Sequence, residues 1–499
     1  NRLETIPYTF SFNRLIQDID KTALPQKERL IPLLRNIQTC TRCGKCKQVC
    51  PMFYPEKGFL YHPRSKNITL GALIEALYYS LMDTGEPDPD LMQDLRELME
   101  HCTACGKCMT VCPVKIRSHD VALNMRSFLE EKGAGGHPLK SRVLNYLGAH
   151  PERVPQAAKM AALGQSVQNK AAPILPASWR SKRQSPLLRG PGPALQFKNL
   201  PQALHLEQGS LFVPAHLGDR EEMEAVVYFP GCGGSLFYRS IGLATMALLL
   251  ASGTAVVMPP HHMCCGYPLL AAGCKEAYTQ NRERVGEILR QQIRQATNRG
   301  LRVEHMLTAC GTCRESLEDF GLESALTNPG THLDALQFLL QRLPAAPSEL
   351  NEVLYHVSCH AEFTGVAGQK AAAAYATALG EHLDTAVRQS PGCCGESGLG
   401  ALTSPQIYNT LRERKVRQLT EDFGSYPAEA PILVGCPSCK VGLNRINVQQ
   451  GWKREVLHAT EFLAQIHLGR DWMRRTLQAV KKGRPDSRER RQIAIACAR

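Results

Sequence analysis

The sequence predicts an α-helical N-terminal domain followed by two copies of an α/β domain. Two observations lead to this prediction. A cysteine motif, C-x2-C-x2-C-x3-C-P, begins at Cys40 and again at Cys102, and the 51 residues between Cys50 and Cys102 have helical rather than strand-like patterns. A second group of cysteines, beyond residue 200, repeats after about 127 residues, which indicates a duplicated domain.

Each N-terminal motif has the spacing of ligands for a cubane [4Fe–4S] cluster, in which three close thiolates cap one cube and the fourth cysteine ligates the other cluster. We therefore expect one cluster on Cys40, Cys43, Cys46 and Cys112, and a second on Cys102, Cys105, Cys108 and Cys50. Zinc is disfavoured because zinc sites usually combine two separated pairs of ligands, whereas each motif here has a third cysteine close to the first two. Disulfides are disfavoured because 20 cysteines in 499 residues are far less dense than in small secreted scaffolds. The motifs indicate electron transfer.

The spacer between these motifs predicts two helices. Asn67–Met82 and Asp88–His101 carry apolar residues at helical spacing, and Asp88 provides an N-cap followed by Pro89 at the first helical position. We therefore expect an α-helical ferredoxin over residues 35–150, similar to the iron–sulfur subunit of succinate dehydrogenase. A non-globular extension is expected over residues 1–34.

The later cysteines form two equivalent sets of five. The sets are Cys232, Cys264, Cys265, Cys310 and Cys313, and then Cys359, Cys393, Cys394, Cys436 and Cys439; corresponding positions differ by 127, 129 and 126 residues. Neighbouring Cα atoms are about 3.8 Å apart, whereas ordinary disulfides need roughly 4.4–6.8 Å. The adjacent cysteines are therefore poor disulfide partners, while two adjacent thiolates can bind neighbouring irons. Five thiolates also exceed what one cubane or one zinc requires.

The repeated pattern C-x(n)-C-C-G-x(n)-C-x2-C resembles the CCG domains of the catalytic subunit of heterodisulfide reductase. The double motif ahead of it resembles that enzyme's small iron–sulfur subunit, fused in front. The same arrangement is found in the glycolate oxidase iron–sulfur subunit, in the third subunit of anaerobic glycerol-3-phosphate dehydrogenase, and in FAD-linked D-2-hydroxy-acid dehydrogenases. The resemblance covers residues 36–465 and implies a noncubane [4Fe–4S] cluster on each five-cysteine set.

Short apolar runs, each closely followed by a ligand cysteine, predict the strands of the two CCG domains. The runs are Val226–Pro230, Ala255–Pro259, His305–Ala309, Val353–Val357 and Ile432–Gly435. Open α/β sheets bind their ligands at the carboxyl ends of the strands, which is where these cysteines would lie. The expected boundaries are 225–345 and 352–468 for the two CCG domains. A proline-rich linker over the surface is expected at 151–224, and a basic tail at 469–499.

Charge is concentrated at the C-terminus. The net charge is +13, and residues 469–499 contribute ten Lys or Arg against three acidic residues. We expect a solvated, partly disordered tail, with an acidic partner or peripheral contact with an anionic membrane face as the alternative. Nucleic acid is disfavoured because aromatic residues do not alternate with the basic ones. Thiolate ligands indicate a reducing compartment, so we expect a cytoplasmic protein.

The longest uncharged apolar stretch is Ile241–Met258, but a transmembrane helix is disfavoured. The same place in the second copy is charged, and Ser252 and Gly253 suit a turn between a helix and a strand. The chain begins at Asn1 without a basic and apolar leader. We therefore expect it to belong to a longer polypeptide or to act beside a separate flavoprotein.

Several further residues have two interpretations. Four histidines near the cysteines would donate N–H bonds to cluster sulfurs or, alternatively, deliver protons; these are His261, His262, His356 and His360. Cys274 and Cys497 are expected to be a buried structural thiol and an exposed tail thiol. The run Gly395-x-x-Gly398-x-Gly400 favours close backbone packing, because its spacing is the reverse of a dinucleotide fingerprint.

The sequence leaves two functions open. In the first, FAD on a partner or on a missing N-terminal part oxidises a D-2-hydroxy acid, and the clusters pass electrons to a carrier or quinone pool. In the second, a noncubane cluster attacks a substrate disulfide directly, as in heterodisulfide reductase. A purely structural metal protein is disfavoured because eighteen ligand cysteines exceed what a scaffold of this size needs. Catalytic residues cannot be assigned from the pattern.

Overall fold

The structure is a computed structural model that describes residues 11–23, 27–54, 60–83, 89–171, 174, 196, 198–327, 332–398 and 400–495. The chain forms two compact units. The first comprises Asn1–Leu144 and Pro268–Lys275, and the second comprises Asn145–Tyr267 and Glu276–Arg499. Asp88 and Cys497, for which the sequence makes predictions, lie outside the described residues.

The first unit is helical, as predicted. Its helices are Phe12–Lys21, Lys27–Thr39, Pro63–Asp83, Pro89–Glu100, Lys107–Thr110, Ser118–Glu131 and most of Pro138–Ala149. The third and fourth helices are the two that the sequence places between the cysteine motifs. The expected N-terminal extension differs from the prediction, because two helices begin within it and Leu33 and Leu34 are buried. Burial of this apolar surface ties the extension to the ferredoxin-like unit.

The second unit alternates strands and helices. Its strands are β1 (Leu211–Pro214), β2 (Met223–Tyr228), β3 (Ala255–Val257), β4 (Leu301–Thr308), β5 (His332–Asp334), β6 (Glu352–His356), β7 (Glu362–Phe363), β8 (Val366–Ala367), β9 (Ala386–Gln389), β10 (Ile432–Val434), β11 (Val456–His458), β12 (Arg484–Pro485) and β13 (Arg491–Ile493). Its helices are Val154–Ala171, Leu200–Leu204, Arg239–Ala251, Tyr267–Ala272, Lys275–Asn298, Gly311–Glu318, Ala335–Arg342, Gln369–Leu383, Gly400–Thr403, Pro405–Phe423, Pro437–Gln449, Ala459–Leu468 and Trp472–Lys482, of which the fourth and fifth include residues of the first unit.

Two sheets repeat the same arrangement of strands. The larger has the order β12-β13-β1-β3-β2-β4-β5, and the smaller has the order β9-β6-β10-β11 when read in the matching direction. Strands β3-β2-β4-β5 and β9-β6-β10-β11 pair in parallel throughout. The predicted duplication is therefore present as two parallel four-stranded cores. Because β2, β3, β4, β6, β9 and β10 each precede a ligand cysteine, the carboxyl ends of the strands carry the candidate sites.

The end of the predicted linker belongs to the first α/β domain. Strand β1 is fully buried and pairs antiparallel with β3, and helices lie at Val154–Ala171 and Leu200–Leu204. The apolar run Leu211–Val213 is what places this segment in the sheet, since it buries its side chains between neighbours. Residues 172–173, 175–195 and 197 of the stretch lie outside the described part of the chain.

The basic C-terminal stretch is also folded, which corrects the expectation of a solvated tail for residues 470–495. Strand β13 pairs in parallel with β1, so the end of the chain returns to the sheet of the first copy. Arg490 and Asp486 form a fully buried ion pair with an Nε–Oδ2 distance of 2.6 Å. Arg491 donates to the carbonyl of Leu204 at 2.7 Å. These partners satisfy charges that the composition suggested would remain in water.

The long apolar stretch folds as a helix, a turn and a strand. Helix Arg239–Ala251 ends before Gly253, which has a φ of +84°, and β3 follows. Helix Arg239–Ala251 packs against Ala459–Leu468 of the second copy within one hydrophobic core that both copies share. None of the described helices is long and apolar enough to cross a membrane.

Candidate iron–sulfur sites

The two N-terminal motif loops have the same backbone shape. Arg42 and Gly44 in the first loop, and Ala104 and Gly106 in the second, all have positive φ values between 51° and 78°. These pairs occupy equivalent positions between the first and third cysteines of each motif. In the second loop the N–H of Ala104 donates to Cys102 Sγ at 3.4 Å. Each loop therefore turns around its own trio of thiols.

Cys50 lies with the second trio rather than with its own. The pKa of Cys50 is raised to about 12, mainly by burial; Lys66 opposes this rise, while the nearby thiols of Cys105 and Cys102 contribute to it. Burial likewise holds the pKa of Cys108 well above its usual range, with Cys105, Cys102 and Cys50 adding to the effect. This proximity is the arrangement that the crossed ligand pairing requires. Cys112 Sγ accepts from the N–H of Ile116 at 3.3 Å, and its association with the first trio stays a prediction.

Two basic side chains support the second trio. Arg126 donates to the carbonyls of Met99 at 2.7 Å and Cys102 at 2.6 Å, which holds the start of the loop. Lys66 is 4% exposed and donates to the carbonyl of His101, and its charge favours the ionised form of Cys50. A cation near a cluster stabilises its more negative, reduced form. Neither residue was singled out from the sequence, because each comes from a separate helix.

The first five-cysteine set gathers at the ends of β2, β3 and β4. Cys310 is the N-cap of helix Gly311–Glu318, and Cys313 lies in that helix's first turn. The thiol of Cys264 is hydrogen-bonded by Cys232 and Cys265, which lowers its pKa well below the usual range. A helix N-terminus also favours negative charge on sulfur. Each of the five thiols neighbours another of the set, so they form one continuous group.

The second set repeats this geometry at the ends of β6, β9 and β10. Cys436 is the N-cap of helix Pro437–Gln449, with an extended backbone like that of Cys310. Hydrogen bonds from Cys393 and Cys439 lower the pKa of Cys394 well below its usual range. Cys394, Cys436 and Cys439 are all at most 5% exposed. These three cysteines are accordingly shielded from water, whereas Cys359 and Cys393 are partly exposed.

The two sets meet at the junction of the copies. The Sγ atoms of Cys310 and Cys436 lie 3.8 Å apart. On either side, a Cβ on Gly233 would lie 2.2 Å from Pro437, and a Cβ on Gly311 would lie 2.6 Å from the carbonyl oxygen of His360. Gly233 corresponds to His360 in the repeat, and Gly311 corresponds to Pro437. The junction therefore has approximate twofold symmetry, with the cysteine pair at its centre.

The glycine after each cysteine pair is required by the backbone. Gly266 and Gly395 have φ values of +82° and +69°, in the left-handed region that favours glycine. A Cβ on Gly266 would lie 2.8 Å from Asn281, and a Cβ on Gly395 would lie 3.0 Å from Arg412. Residues of a downstream helix, Lys275–Asn298 or Pro405–Phe423, thus occupy the space that a Cβ at either position would need.

The histidines near the cysteines occupy different environments. His262 Nε2 lies 3.9 Å from Cys232 Sγ, and burial lowers the pKa of His262 to about 4. A neutral His262 fits an N–H contact to sulfur better than proton delivery. Burial alone would lower the pKa of His360, but its contact with Glu315 raises it. His356 is completely buried, and burial lowers its pKa.

Buried basic residues around the second set were missed by the sequence interpretation. Lys415 donates to the carbonyl of Pro391 at 2.6 Å, and Arg412 donates to the carbonyl of Gly395 at 3.0 Å. Both hold the backbone around Cys393 and Cys394. With Asn409, they follow one another at intervals of three residues and are at most 2% exposed. In the sequence, the signal for these residues was a row of polar side chains at helical spacing.

The junction also contains a buried ion pair that links the copies. Lys440, the residue after Cys439, pairs with Glu461, and both are at least nine-tenths buried. Glu461 accepts from the N–H of His458 at 2.7 Å. His458 Nε2 in turn lies 3.2 Å from the carbonyl oxygen of Ala309, the residue before Cys310. The network fixes the cysteine loops of both copies.

The donor chemistry fits iron–sulfur clusters. Iron–sulfur clusters are held by thiolates, and the structure gathers thiols whose burial would keep several of them protonated without a metal. Binding of cationic iron replaces those protons and offsets the cost of burying thiolate charge. Cys274, which is outside the motifs, is also buried and lies in the first unit.

Segments of both units match known sequence families. Residues 36–116 match the 4Fe-4S dicluster domain family, and residues 226–318 and 353–444 each match the cysteine-rich domain family. The chain therefore contains a dicluster ferredoxin-like domain followed by two CCG domains, as the sequence predicted. The dicluster domain implies two [4Fe–4S] clusters.

Curated relatives are distant, and two of the three described here cover most of the chain. The glycolate oxidase iron-sulfur subunit of Escherichia coli strain K12 is 23% identical over 85% of this chain and 94% of its own length. One subunit of the dihydromethanophenazine:CoB–CoM heterodisulfide reductase of Methanosarcina barkeri is 22% identical over 82% of this chain and 89% of its own length. Lactate utilization protein A of Exiguobacterium sp. is 23% identical over 48% of this chain and 97% of its own length.

Proposed function

We propose that this chain, an iron–sulfur electron-transfer protein of the oxidoreductase class, accepts electrons from a flavin-dependent D-2-hydroxy-acid dehydrogenase. The observation that carries the proposal is the layout of a dicluster domain followed by two CCG domains, together with similarity to a glycolate oxidase iron-sulfur subunit over most of both chains. All eight cysteines of the dicluster domain and all ten of the CCG domains are present. Clusters of this kind accept and release one electron at a time, which suits re-oxidation of a reduced flavin.

We assign the clusters as the motifs indicate. Cubane clusters would be held by Cys40, Cys43, Cys46 and Cys112 and by Cys102, Cys105, Cys108 and Cys50. Noncubane clusters would be held by Cys232, Cys264, Cys265, Cys310 and Cys313 and by Cys359, Cys393, Cys394, Cys436 and Cys439. The 3.8 Å contact between Cys310 and Cys436 supports direct electron exchange between the two CCG sites.

The partner in this proposal is an FAD-containing domain or subunit. Glycolate oxidase and lactate utilization, named among the relatives, both concern 2-hydroxy acids. Electrons would continue to a soluble carrier or to the quinone pool. A cytoplasmic location suits the thiolate ligands. The exposed basic side chains of the last helix, Arg474 and Arg475 among them, would suit peripheral contact with the inner membrane face.

A second candidate function is disulfide reduction at a CCG cluster. The relationship to a heterodisulfide reductase subunit favours it, and so does the retention of every CCG cysteine. Both functions need the same ligands, so they differ in which substrate exchanges electrons with the protein.

A direct comparison of electron donors and acceptors tests the proposal. The full chain, isolated anaerobically from its own host with its bound partners, should contain flavin and reduce a dye with D-lactate, glycolate or 2-hydroxyglutarate. Cys394→Ser should reduce this rate strongly, whereas Cys274→Ser, at a buried cysteine outside the motifs, should leave it unchanged. Reduction of low-molecular-weight disulfides, with no response to any hydroxy acid, would replace the proposal with the second candidate.

A further inference from the structure

His356 ends strand β6 and points into the second cysteine set. Its side chain is completely buried, and one of its ring nitrogens lies with the Sγ atoms of Cys394 and Cys439, all three atoms being within 4.8 Å of one another. The three residues come from three different segments of the chain. A spacing of this kind lets one metal ion contact a nitrogen and two sulfurs together.

The orientation of the ring leaves Nε2 available to a metal. His356 Nδ1 lies 3.0 Å from the carbonyl oxygen of Ser390, to which it donates. Nε2 is buried, and within the described part of the chain the thiol of Cys394 is the side-chain group that the imidazole contacts. Histidines that bind metals usually donate their other ring N–H to a carbonyl or a carboxylate, which sets the tautomer and the ring orientation. His356 has that arrangement.

The carbonyl that orients His356 is itself held in place. Lys415 Nζ lies 2.6 Å from Ser390 Oγ and 2.6 Å from the carbonyl oxygen of Pro391, and Ser390 Oγ donates to Asp422 at 3.1 Å. Lys415 is 1% exposed and Ser390 is 2% exposed, so the amine and the hydroxyl of this support are buried. The segment before Cys393 is therefore rigidly coupled to the imidazole ring.

The first CCG copy has no equivalent of this nitrogen. The residue that corresponds to His356 is Phe229, which is also fully buried. A buried histidine beside the first set, His262, comes from a different segment. Its two ring nitrogens are both engaged, Nδ1 with Ser235 Oγ at 3.3 Å and Nε2 with Cys232 Sγ at 3.9 Å. The two copies therefore differ at this position, where only the second copy has a side-chain nitrogen.

We propose that His356 Nε2 is an iron ligand of the second CCG site, so that this site has mixed cysteine and histidine ligation while the first has cysteine alone. The inference rests on the proposed assignment of a cluster to the second cysteine set. His356 adds an imidazole to the five thiolates of the second site, whereas the first site has Phe229 at that position. The kind and charge of the ligands influence the reduction potential of a cluster, so the two CCG sites should differ in potential.

Labelling of histidine tests the ligand directly. The full chain, loaded with 57Fe and labelled with 15N only in histidine, should give pulsed-EPR signals from a strongly coupled nitrogen and a Mössbauer doublet from a nitrogen-ligated iron. His356→Phe, which introduces the residue of the first copy, should remove both signals. His356→Cys should also remove them while keeping a full iron content of about sixteen, and should lower the potential of that site. His262→Phe is the matched control and should keep both signals.

The outcomes separate this inference from the proposed function. About sixteen irons without a histidine-derived nitrogen coupling or doublet, or signals that persist in His356→Phe, would overturn the ligand assignment and leave the cluster assignment intact. About twelve irons in the unmodified chain, with the second set empty, would overturn both, because no cluster would then be present for His356 to bind. The Mössbauer doublet is measurable in every oxidation state, so a cluster that is silent in EPR still gives a result.

Discussion

Cys310 and Cys436, which are 126 residues apart in the chain, lie with their Sγ atoms 3.8 Å apart. Each is the N-cap of a helix and follows the central parallel strands of its own CCG copy. The contact joins the two candidate metal sites into one continuous group of thiols. Beside this pair, Gly233 faces Pro437 and Gly311 faces His360 in symmetric positions. The lack of space there explains why glycine occurs at positions 233 and 311.

Substitution of the junction glycines should destabilise the second unit. Gly233→Ala and Gly311→Ala would each push a methyl group into a neighbouring backbone or proline, which costs about 1–3 kcal/mol through overpacking. We expect the apparent melting temperature of the iron-loaded protein to fall by several degrees. Gly164→Ala is the matched control, since nothing lies within 4 Å of its added methyl and the residue is in a helix. It should be neutral or slightly stabilising. Equal effects at all three positions would contradict the close packing at the junction.

Crossed ligation of the cubane clusters makes a prediction about pairs of variants. Cys50→Ser and Cys102→Ser should perturb the same cluster in EPR, because Cys50 lies beside Cys102 and Cys105. Cys46→Ser should perturb the other cluster, with Cys40 and Cys43 as its neighbours. If Cys50→Ser and Cys46→Ser altered one and the same signal, each motif would hold its own cluster and the crossed assignment would be wrong.

Lys66 should tune the cluster that Cys50 helps to hold. Lys66→Met removes a buried positive charge beside the thiol, so the reduced cluster loses stabilisation and its midpoint potential should fall by tens of millivolts. A tenfold change in the equilibrium constant corresponds to about 59 mV for one electron. Redox titration followed by EPR measures the shift. The control is Lys132→Met, at an exposed lysine of the same unit; a similar shift there would exclude a local charge effect.

The buried ion pair near the C-terminus should contribute strongly to stability. Arg490→Met leaves Asp486 buried and unpaired, which costs about 3–5 kcal/mol. Arg474→Met breaks an exposed pair with Asp471, where both side chains are roughly half exposed or more, and should cost less than about 1 kcal/mol. Urea unfolding of the two variants, compared at equal iron content, measures the difference. Similar midpoints would show that the C-terminal stretch is not coupled to the sheet.

The spacing of the cysteines was enough to predict most of the candidate sites. Local spacing determines which thiolates can reach one cluster, and the repeat between Cys232 and Cys359 identified the duplicated domain. Short apolar runs such as Val226–Pro230 predicted the buried parallel strands, because a strand covered on both faces is apolar throughout. The helices Pro63–Asp83 and Pro89–Glu100 were likewise predictable from apolar periodicity.

The proline-rich and basic segments were misjudged for a physical reason. Composition indicates whether a segment is polar. It does not indicate whether a residue elsewhere in the chain can neutralise the charges of that segment. Arg490 is buried because Asp486 and two distant backbone carbonyls receive its hydrogen bonds. Strand β13 forms because β1, nearly 280 residues earlier, offers a free edge. These pairings depend on contacts that local sequence does not contain.

By itself the sequence determined the ligand types, their grouping into motifs and the order of helices and strands, because these depend on short-range spacing and periodicity. Tertiary structure decided the rest. Only folding brought Cys310 to Cys436 and placed His356 beside Cys394 and Cys439, since parallel strands far apart in the chain end at a common edge. Burial then set the chemistry of each group, by removing the water that would otherwise have screened thiols, imidazoles and ion pairs alike.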